Sequence, residues 1–319
     1  MPWQVGFGSS ALFALRTISI IFYVEYVIYT RTQRIFLKSF FYILAIHLLI
    51  TDIYIFINYS NITTEEAGRI FVIGNKFIVS YYHLIFAALF LSWYRPNKFV
   101  TLCLALFCII ISKFVHCSTG IIGATLFLLL TIFRSILKKI LYSPVIFCGS
   151  MTICILFAYL VETITNNIYF IALLSFFEKS STITGRSQIY SYVFGLIEQS
   201  FWFGYGNGNA TTLTLNTTNI GNAQNGVVED ILNWGIIGFI SFLSIPMYLI
   251  SSKNQKTHNY YILCIMYLYI FMGTLEITLG TKFLVIIALF LLLSNYHQKH
   301  FFNNNKLLLS NSDTKKEYY

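Results

Sequence analysis

The chain has 319 residues, of which 57% are hydrophobic and only 10% are charged, and its mean hydropathy is +0.70. A soluble globular domain carries roughly 25% charged residues, so this composition excludes a water-soluble globular protein and predicts an integral membrane protein. The net charge of +9 follows from membrane topology and gives no ground for expecting a nucleic-acid partner.

Nine apolar runs are candidates for the helices of about 20 residues that cross a bilayer, although the fourth and the ninth are short. They predict an all-α, polytopic membrane helix bundle of about nine transmembrane helices, with a polymerase-like domain over residues 1–302. The polar tail, 303–319, is predicted to be disordered and cytoplasmic. In chain order the runs are Gly8–Tyr29, Phe36–Ile57, Ile78–Trp93, Phe99–Ile111, Gly120–Phe133, Pro144–Thr163, Ile231–Ile250, Tyr260–Met272 and Phe283–Leu293.

Lysine and arginine orient the chain because they resist translocation. Alternate gaps between the predicted helices hold 14 and 6 of these residues. The rich gaps follow the first, third, fifth, seventh and ninth helices, which predicts a cytoplasmic C-terminus and an external N-terminus. An external start without upstream basic residues favours a chain that has lost an N-terminal portion.

Ionisable and sulfur-containing residues also occur inside the apolar runs. A charge that faces lipid is costly, so Arg16, Glu25, His47 and Asp52 are expected to face the bundle interior. The six cysteines show no metal-ligand spacing and are interpreted as small apolar side chains. Neither a metal nor a cofactor is predicted.

The longest connection, residues 164–230, lies on the predicted external side, and long loops on a rigid scaffold tend to carry function. Within it, Ser187–Phe201 has apolar residues at i, i+3 and i+4 spacing and predicts an amphipathic helix. The run Gly204–Gly208 follows no strand, so it predicts a flexible turn rather than a nucleotide-binding loop. The Asn/Thr-rich segment Thr211–Asn225 predicts a polar link.

Arg186 lies in the expected first turn of that amphipathic helix, where the helix dipole disfavours a cation. Helix N-termini bind anions, and a guanidinium at this point completes a phosphate site. The alternative is an exposed arginine that reaches toward lipid headgroups.

Two other places offer polar groups on the external side. Glu229 and Asp230 lie where the large loop enters the seventh helix, as partners of the helix dipole or as a general base. Lys113 lies in the outer turn between the fourth and fifth helices together with His116 and Thr119. It is interpreted as a headgroup anchor or as a second phosphate contact.

Short motifs in this part of the chain resemble, in order, those of the O-antigen ligase and Wzy-type polymerase superfamily. They correspond to the family's S-R-G turn, T-G-R motif, G-Y-G motif, H-N motif and a final glycine-spaced helix start. The matching segments are His116–Gly123, Thr182–Arg186, Phe203–Gly206, Asn225–Glu229 and Leu232–Gly238.

The resemblance implies a metal-independent transfer of glycan from undecaprenyl diphosphate to an acceptor hydroxyl, with no cofactor. Arg186 takes the diphosphate-binding role, and Gln224 and Glu229 complete the expected catalytic group. The positions expected to contact substrate are Gly185, Asn225, Lys113, His116, Thr119, Gly204 and Gly206.

Two positions depart from the family pattern. The histidine of the H-N motif is Gln224 here, which hydrogen-bonds a sugar but does not accept a proton at neutral pH. The arginine of the S-R-G turn is Thr119. The first departure favours a polymerase, with Glu229 or another carboxylate as base, over a ligase. The second requires that another cation come from Lys113 or elsewhere, and the two together leave open a degenerate, inactive member.

The expected function is therefore polymerisation of undecaprenyl-diphosphate-linked oligosaccharide units, for O-antigen or capsule, on the outer face of a bacterial inner membrane. The expected partners are the lipid-linked donor and acceptor glycans, membrane lipid, a chain-length regulator and a flippase. A ligase-type transferase is one alternative. A sugar or lipid transporter is another, disfavoured because the sequence shows neither repeated halves nor broken helices.

Overall fold

The computed structural model describes residues 7–58, 70–161, 163, 167, 184–218, 220–252 and 259–296. A short antiparallel hairpin, β1 (Ile70–Phe71) with β2 (Gly74–Asn75), is an exception to the all-α prediction. In chain order the helices are α1 (Phe7–Tyr29), α2 (Gln33–Ile57), α3 (Lys76–Tyr94), α4 (Lys98–Phe114), α5 (Ser118–Ile132), α6 (Arg134–Leu141), α7 (Pro144–Tyr159), α8 (Thr184–Gln199), α9 (Asn209–Thr218), α10 (Gly226–Ser251), α11 (Tyr260–Met272) and α12 (Thr281–Tyr296).

Each of the nine predicted apolar runs contributes a helix, which confirms a mostly helical membrane protein. Within the described ranges, four helices are long and apolar enough to cross a membrane: α1, α2, α3 and α10. The pair α5 and α6, bent by 103° at a break, adds a fifth if it counts as one span. The number nine, the external position of residues 164–230 and the disorder of the tail stay predictions, and the tail lies outside the described residues.

Two helices form the centre of the bundle. Every residue of α11 from Tyr260 to Ile270 is buried, as is typical of a helix that is apolar on all sides. In α3, 61% of the most apolar window is buried, against 11% in α1 and 22% in α2. The first two helices are therefore peripheral.

The peripheral position of α1 and α2 determines whether their ionisable side chains are buried or exposed. Asp52 turns inward, and its Oδ1 lies 3.0 Å from Nε2 of the buried His83 on α3. Arg16, Glu25 and His47 are exposed on the chain's surface. The expectation that they face the interior is wrong, because neither helix is surrounded by its neighbours.

The amphipathic helix predicted at Ser187–Phe201 is confirmed as α8, which buries Ile189 and Val193 against α7 and α10. The polar link predicted from Thr211 is wrong over α9. Its side chains support the helix, since Thr214 is buried and its Oγ1 donates to the carbonyl of Ala210 at 2.9 Å. Packing against α8 and α10 outweighs the weak helix propensity of threonine.

Helix α10 is broken at Gly235, whose φ of 64° and ψ of −178° are not helical. The backbone of Phe201–Gly206 fills the break and replaces the missing helical hydrogen bonds. The bonds run from Tyr205 N to Leu232 O (2.9 Å), Gly206 N to Asn233 O (2.7 Å) and Ile236 N to Phe201 O (2.9 Å). The glycine run is thus a fixed joint, so the flexible-turn prediction is wrong, as is the expectation of unbroken helices.

Candidate functional site

The starts of α8 and α10, which carry the predicted site residues of the large loop, contact another segment at one end of the bundle. This segment is the connection between α11 and α12, residues 273–280, called here the α11–α12 connection. Its carbonyls accept hydrogen bonds from the starts of α8 and α10. The bonds run from Arg186 Nη2 to Leu275 O (3.1 Å), Gly226 N to Gly273 O (2.7 Å) and Asn225 Nδ2 to Thr274 O (3.4 Å).

Arg186 lies in the first turn of α8, as predicted, and is half-buried. One turn further on, burial raises the pKa of the Tyr190 hydroxyl, and the positive charge of Arg186 opposes that rise. The Tyr190 hydroxyl donates to the carbonyl of Gln224 at 3.2 Å. A guanidinium has five N–H donors, and among the described residues Leu275 accepts one bond from Arg186, which leaves further donors that suit an anion.

Gln224, which stands in place of the family's histidine, has a positive φ of 53°. Its side-chain Nε2 and its backbone N both donate to Oδ1 of Asn222, at 2.8 and 2.9 Å. The loop before α10 is therefore held in a tight turn, with the Gln224 amide folded back onto it.

Asn225 caps α10 and is fully buried. Its Oδ1 accepts from the backbone N of Val227 and of Val228 at 3.1 Å each, and its Nδ2 donates to the carbonyl of Cys154 at 3.0 Å. A cap of this kind satisfies donors that the first helical turn leaves unpaired. The side chain predicted to touch substrate is thus committed to the start of α10.

Glu229 and Asp230 lie in the first turns of α10, and both are buried, at 7% and 4% exposure. Oε2 of Glu229 accepts from Ala223 N at 2.7 Å, and its Oε1 accepts from Asn233 Nδ2 at 3.1 Å. Glu229 therefore ties the preceding loop to its own helix. Oδ2 of Asp230 has no hydrogen-bond partner among the described residues.

Glu276, in the α11–α12 connection, adds a carboxylate that no sequence motif singles out. It is half-buried and follows Leu275, the residue that binds Arg186. Its charge acts on Tyr190 and on Lys282 at the start of α12. Arg186 and Glu276 are far apart in the chain, so only the fold shows that they converge. An acid six residues before Lys282, in the short connection between two apolar runs, is the sequence signal that could have indicated it.

The outer turn between α4 and α5 carries three of the predicted contacts. Lys113 is exposed in the last turn of α4, and His116 has a φ of 50°, which marks a tight reversal. His116 and Thr119 are half-buried. Gly120 is required here, because a Cβ at that position would meet Oγ of Ser80 at 2.5 Å.

Cys117, in the same turn, links it to the α11–α12 connection. Burial raises the pKa of the Cys117 thiol, while hydrogen bonds with Ser80 and with the backbone N of Gly120 lower it. The charge of Glu276 raises this pKa further and the charge of Lys76 lowers it. The turn, Lys76 and Glu276 therefore belong to the same end of the bundle as Arg186.

The glycines predicted to contact substrate fall in two places. Gly185 precedes Arg186 in the first turn of α8. Gly204 lies at the break of α10, about 13 Å along that helix from its start. A Cβ on Gly204 would come within 2.5 Å of the backbone N of Gly235, and one on Gly206 within 2.8 Å of Ser10 Oγ. Gly185 therefore lies beside Arg186, whereas Gly204 and Gly206 lie at the joint between the loop and α10.

Residues 101–243 match the family model described as O-antigen ligase. This match, over somewhat less than half of the chain, supports the resemblance to the O-antigen ligase and polymerase superfamily. The matched segment runs from α4 into α10 and contains the outer turn, Arg186 and the capped start of α10, whereas Glu276 and Lys282 lie beyond it. No curated protein and no solved structure matches the chain.

Proposed function

We propose that this membrane enzyme transfers glycan from an undecaprenyl-diphosphate donor to an acceptor hydroxyl and so polymerises oligosaccharide units on the outer face of a bacterial inner membrane. The family match supports a lipid-linked glycan as the substrate class. The observation that carries the site is the 3.1 Å hydrogen bond from Arg186 Nη2 to the carbonyl of Leu275, which ties the first turn of α8 to the connection that contains Glu276.

In the proposed reaction the acceptor hydroxyl oxygen forms a bond to the anomeric carbon of the donor. The bond from that carbon to the diphosphate oxygen breaks, and the diphosphate leaves with the electron pair. Arg186 and Lys282 stabilise the charge that develops on the leaving group, since cations already placed where negative charge develops lower the barrier. A carboxylate takes the proton of the acceptor hydroxyl. Neither a nucleotide nor a metal is required.

Two carboxylates compete for the role of base. Both oxygens of Glu229, the residue expected from the sequence, accept hydrogen bonds from the protein. Glu276 is less buried and lies next to the residue that binds Arg186. We therefore assign the base to Glu276, and to Glu229 and Asn225 the positioning of the loop that carries Gln224.

The alternatives differ in what supports them. The description of the matching family favours a ligase-type transferase, whereas Gln224 in place of histidine favours a polymerase. The break in α10 is a feature that transporters use to build a substrate pathway. Here the backbone of Phe201–Gly206 bonds the backbone groups that the break exposes, so these groups are engaged within the protein, which disfavours a transport role for the break.

The test uses cells that make lipid-linked repeat units but lack their own polymerase. The wild-type chain should produce a ladder of polymers on undecaprenyl diphosphate, seen by gel electrophoresis of the lipid fraction. A ligase would instead attach glycan to a separate lipid acceptor without a ladder. An inactive family member would give neither product.

The same cells test the role of Arg186. Arg186→Ala should reduce polymer by about ten- to a hundredfold, because a charge-assisted bidentate contact is lost. Arg186→Lys should restore only part of it, since an ammonium lacks the planar fork. Arg34→Ala, which removes an exposed arginine in the first turn of α2, is the matched control and should be neutral. Polymer of normal length from Arg186→Ala, at normal protein level, would refute the diphosphate role.

A further inference from the structure

A second polar site lies at the opposite end of the bundle. Helices α4, α5 and α11 each have one end at the Arg186 site, and their other ends border a cleft of about 560 Å³. Helix α4 has 17 residues, which corresponds to about 25 Å at 1.5 Å per residue. The cleft therefore opens on the other face of the bundle and is separate from the proposed active site.

The charge of the cleft has a single sign. Among the described residues that line it, three are cations, Lys98, Arg134 and Lys138, and none is an acid. Arg134 and Lys138 are one helical turn apart on α6, and the 103° bend after α5 brings this helix across the bundle end. Lys98 opens α4, whose N-terminal dipole adds positive potential.

Arg134 is held in place before any ligand arrives. Its Nη1 donates to the Tyr261 hydroxyl at 3.1 Å, and its guanidinium lies 4.9 Å from the centre of that ring and 5.5 Å from the ring of Tyr260. Such cation–π stacking fixes the plane of the guanidinium. The Tyr261 hydroxyl accepts this bond and keeps its own proton to donate. A phosphate in the cleft would thus meet an oriented fork and a hydroxyl donor at little entropic cost.

Apolar residues beside the cations indicate a lipid as the source of the phosphate. Leu102 and Ile132 line the cleft and are 38% and 53% exposed. On α6, Ile136 and Ile140 are 64% and 44% exposed between the basic residues. A free phosphate would gain nothing from these side chains, whereas the glycerol and acyl portions of a phospholipid would cover them.

We propose that this cleft binds the headgroup phosphate of an anionic phospholipid. Basic pockets between transmembrane helices are suited to such headgroups, and one cation near a membrane surface contributes about a fivefold change in affinity. The bound lipid would hold α6 against the ends of α4 and α11, on the face away from the site of glycan transfer.

The experiment uses the purified full-length chain in neutral detergent, with native mass spectrometry to count retained phosphatidylglycerol. Lys138→Gln should weaken retention about fivefold, and the triple variant Lys98→Gln, Arg134→Gln, Lys138→Gln by about a hundredfold. Lys139→Gln is the matched control, because Lys139 is an exposed neighbour on α6 that does not line the cleft. Arg134→Lys keeps the charge but loses the planar fork. Its retention of phosphatidylglycerol should therefore be lower than that of the wild type.

Two competitors identify the source of the phosphate. Phosphatidylcholine should not displace phosphatidylglycerol, and inorganic phosphate in the millimolar range should not either. Displacement by inorganic phosphate would show a site for a free anion and overturn the lipid proposal. Equal retention by the wild type, Lys138→Gln and the triple variant, each monodisperse on gel filtration, would overturn the cleft as the binding site.

Discussion

The two ends of α4, α5 and α11 differ in the signs of the charges that they collect. At one end, Arg186 donates to the carbonyl of Leu275, the neighbour of Glu276, and the charge of Glu276 acts on Lys282. At the other, Lys98, Arg134 and Lys138 share a cleft whose described lining residues include no acid. Transfer of a glycan from a diphosphate needs both signs, because a proton is removed while negative charge develops on the leaving group. Retention of a phosphate needs cations alone.

Both ends are tied by hydrogen bonds between segments distant in sequence, but different groups make them. At the Arg186 end they come from Asn225 and Arg186, which bond α7 and the α11–α12 connection. At the cleft end they come from tyrosines of α11, since the Tyr260 hydroxyl donates to Leu130 O at 2.6 Å and the Tyr267 hydroxyl to Leu141 O at 2.8 Å.

The largest effect is expected from labelling the two ends across the membrane, because the outcome is all or none. In a Cys103→Ser background, a membrane-impermeant maleimide added to intact cells should label Lys113→Cys, at the Arg186 end. It should label Lys139→Cys, at the cleft end, only after permeabilisation. Both native lysines are exposed. Equal labelling of the two variants would place both ends on one side and contradict the predicted topology.

The second effect separates the two carboxylates of the Arg186 end. Glu276→Gln should lower transferase activity by about a hundred- to ten-thousandfold, the range of a general base, at normal protein level. Glu229→Gln should act mainly on stability, by about 1–3 kcal/mol, since the new NH₂ group has to face one of the two donors, Ala223 N or Asn233 Nδ2. Thermal unfolding in detergent measures that loss.

The opposite pattern would restore Glu229 as the base. In that case Glu229→Gln would be stable and inactive, and its pH–rate profile would lose the limb that reports the base. Glu276→Gln would then keep its activity.

The smallest effect concerns the joint between the loop and α10. Gly204→Ala should lower stability by about 2–3 kcal/mol, because the residue has a φ of 66° and a Cβ would strike the backbone of Gly235. Gly195→Ala on α8 is the control, since a Cβ there meets nothing within 4 Å and alanine favours a helix. Equal thermal stability of the two variants would mean that the joint is looser than its hydrogen bonds indicate.

The helices were largely predictable from sequence because membrane burial imposes long apolar runs. Tyr260–Met272 matches α11 at both ends, and the spacing of Ile189 and Val193 identifies α8. Helix α9 was not predictable, since its Asn/Thr composition indicates a link and only contacts with α8 and α10 make it a helix. The sequence indicates a turn at Gly204. It does not indicate the contact with α10, because Leu232 and Asn233 lie almost thirty residues further along the chain.

The site was predictable only where a motif marks it. Arg186 was identified from its motif and its place at a helix start, and the structure puts it there. Glu276 and Lys282 carry no motif, and sequence spacing does not encode the packing that joins the α11–α12 connection to the first turn of α8. The pairing of His83 with Asp52 was missed for the same reason, because it joins two helices across the bundle.

The most direct test of the central claim is glycan transfer by the purified full-length chain in liposomes. The donor is a synthetic undecaprenyl-diphosphate oligosaccharide, and the buffer contains a chelator and no nucleotide. The account predicts that the glycan lengthens and that one undecaprenyl diphosphate is released for each unit added, because each new glycosidic bond expels one leaving group. Passage of the donor across the bilayer without chemical change, or release of undecaprenyl diphosphate without lengthening, would contradict it.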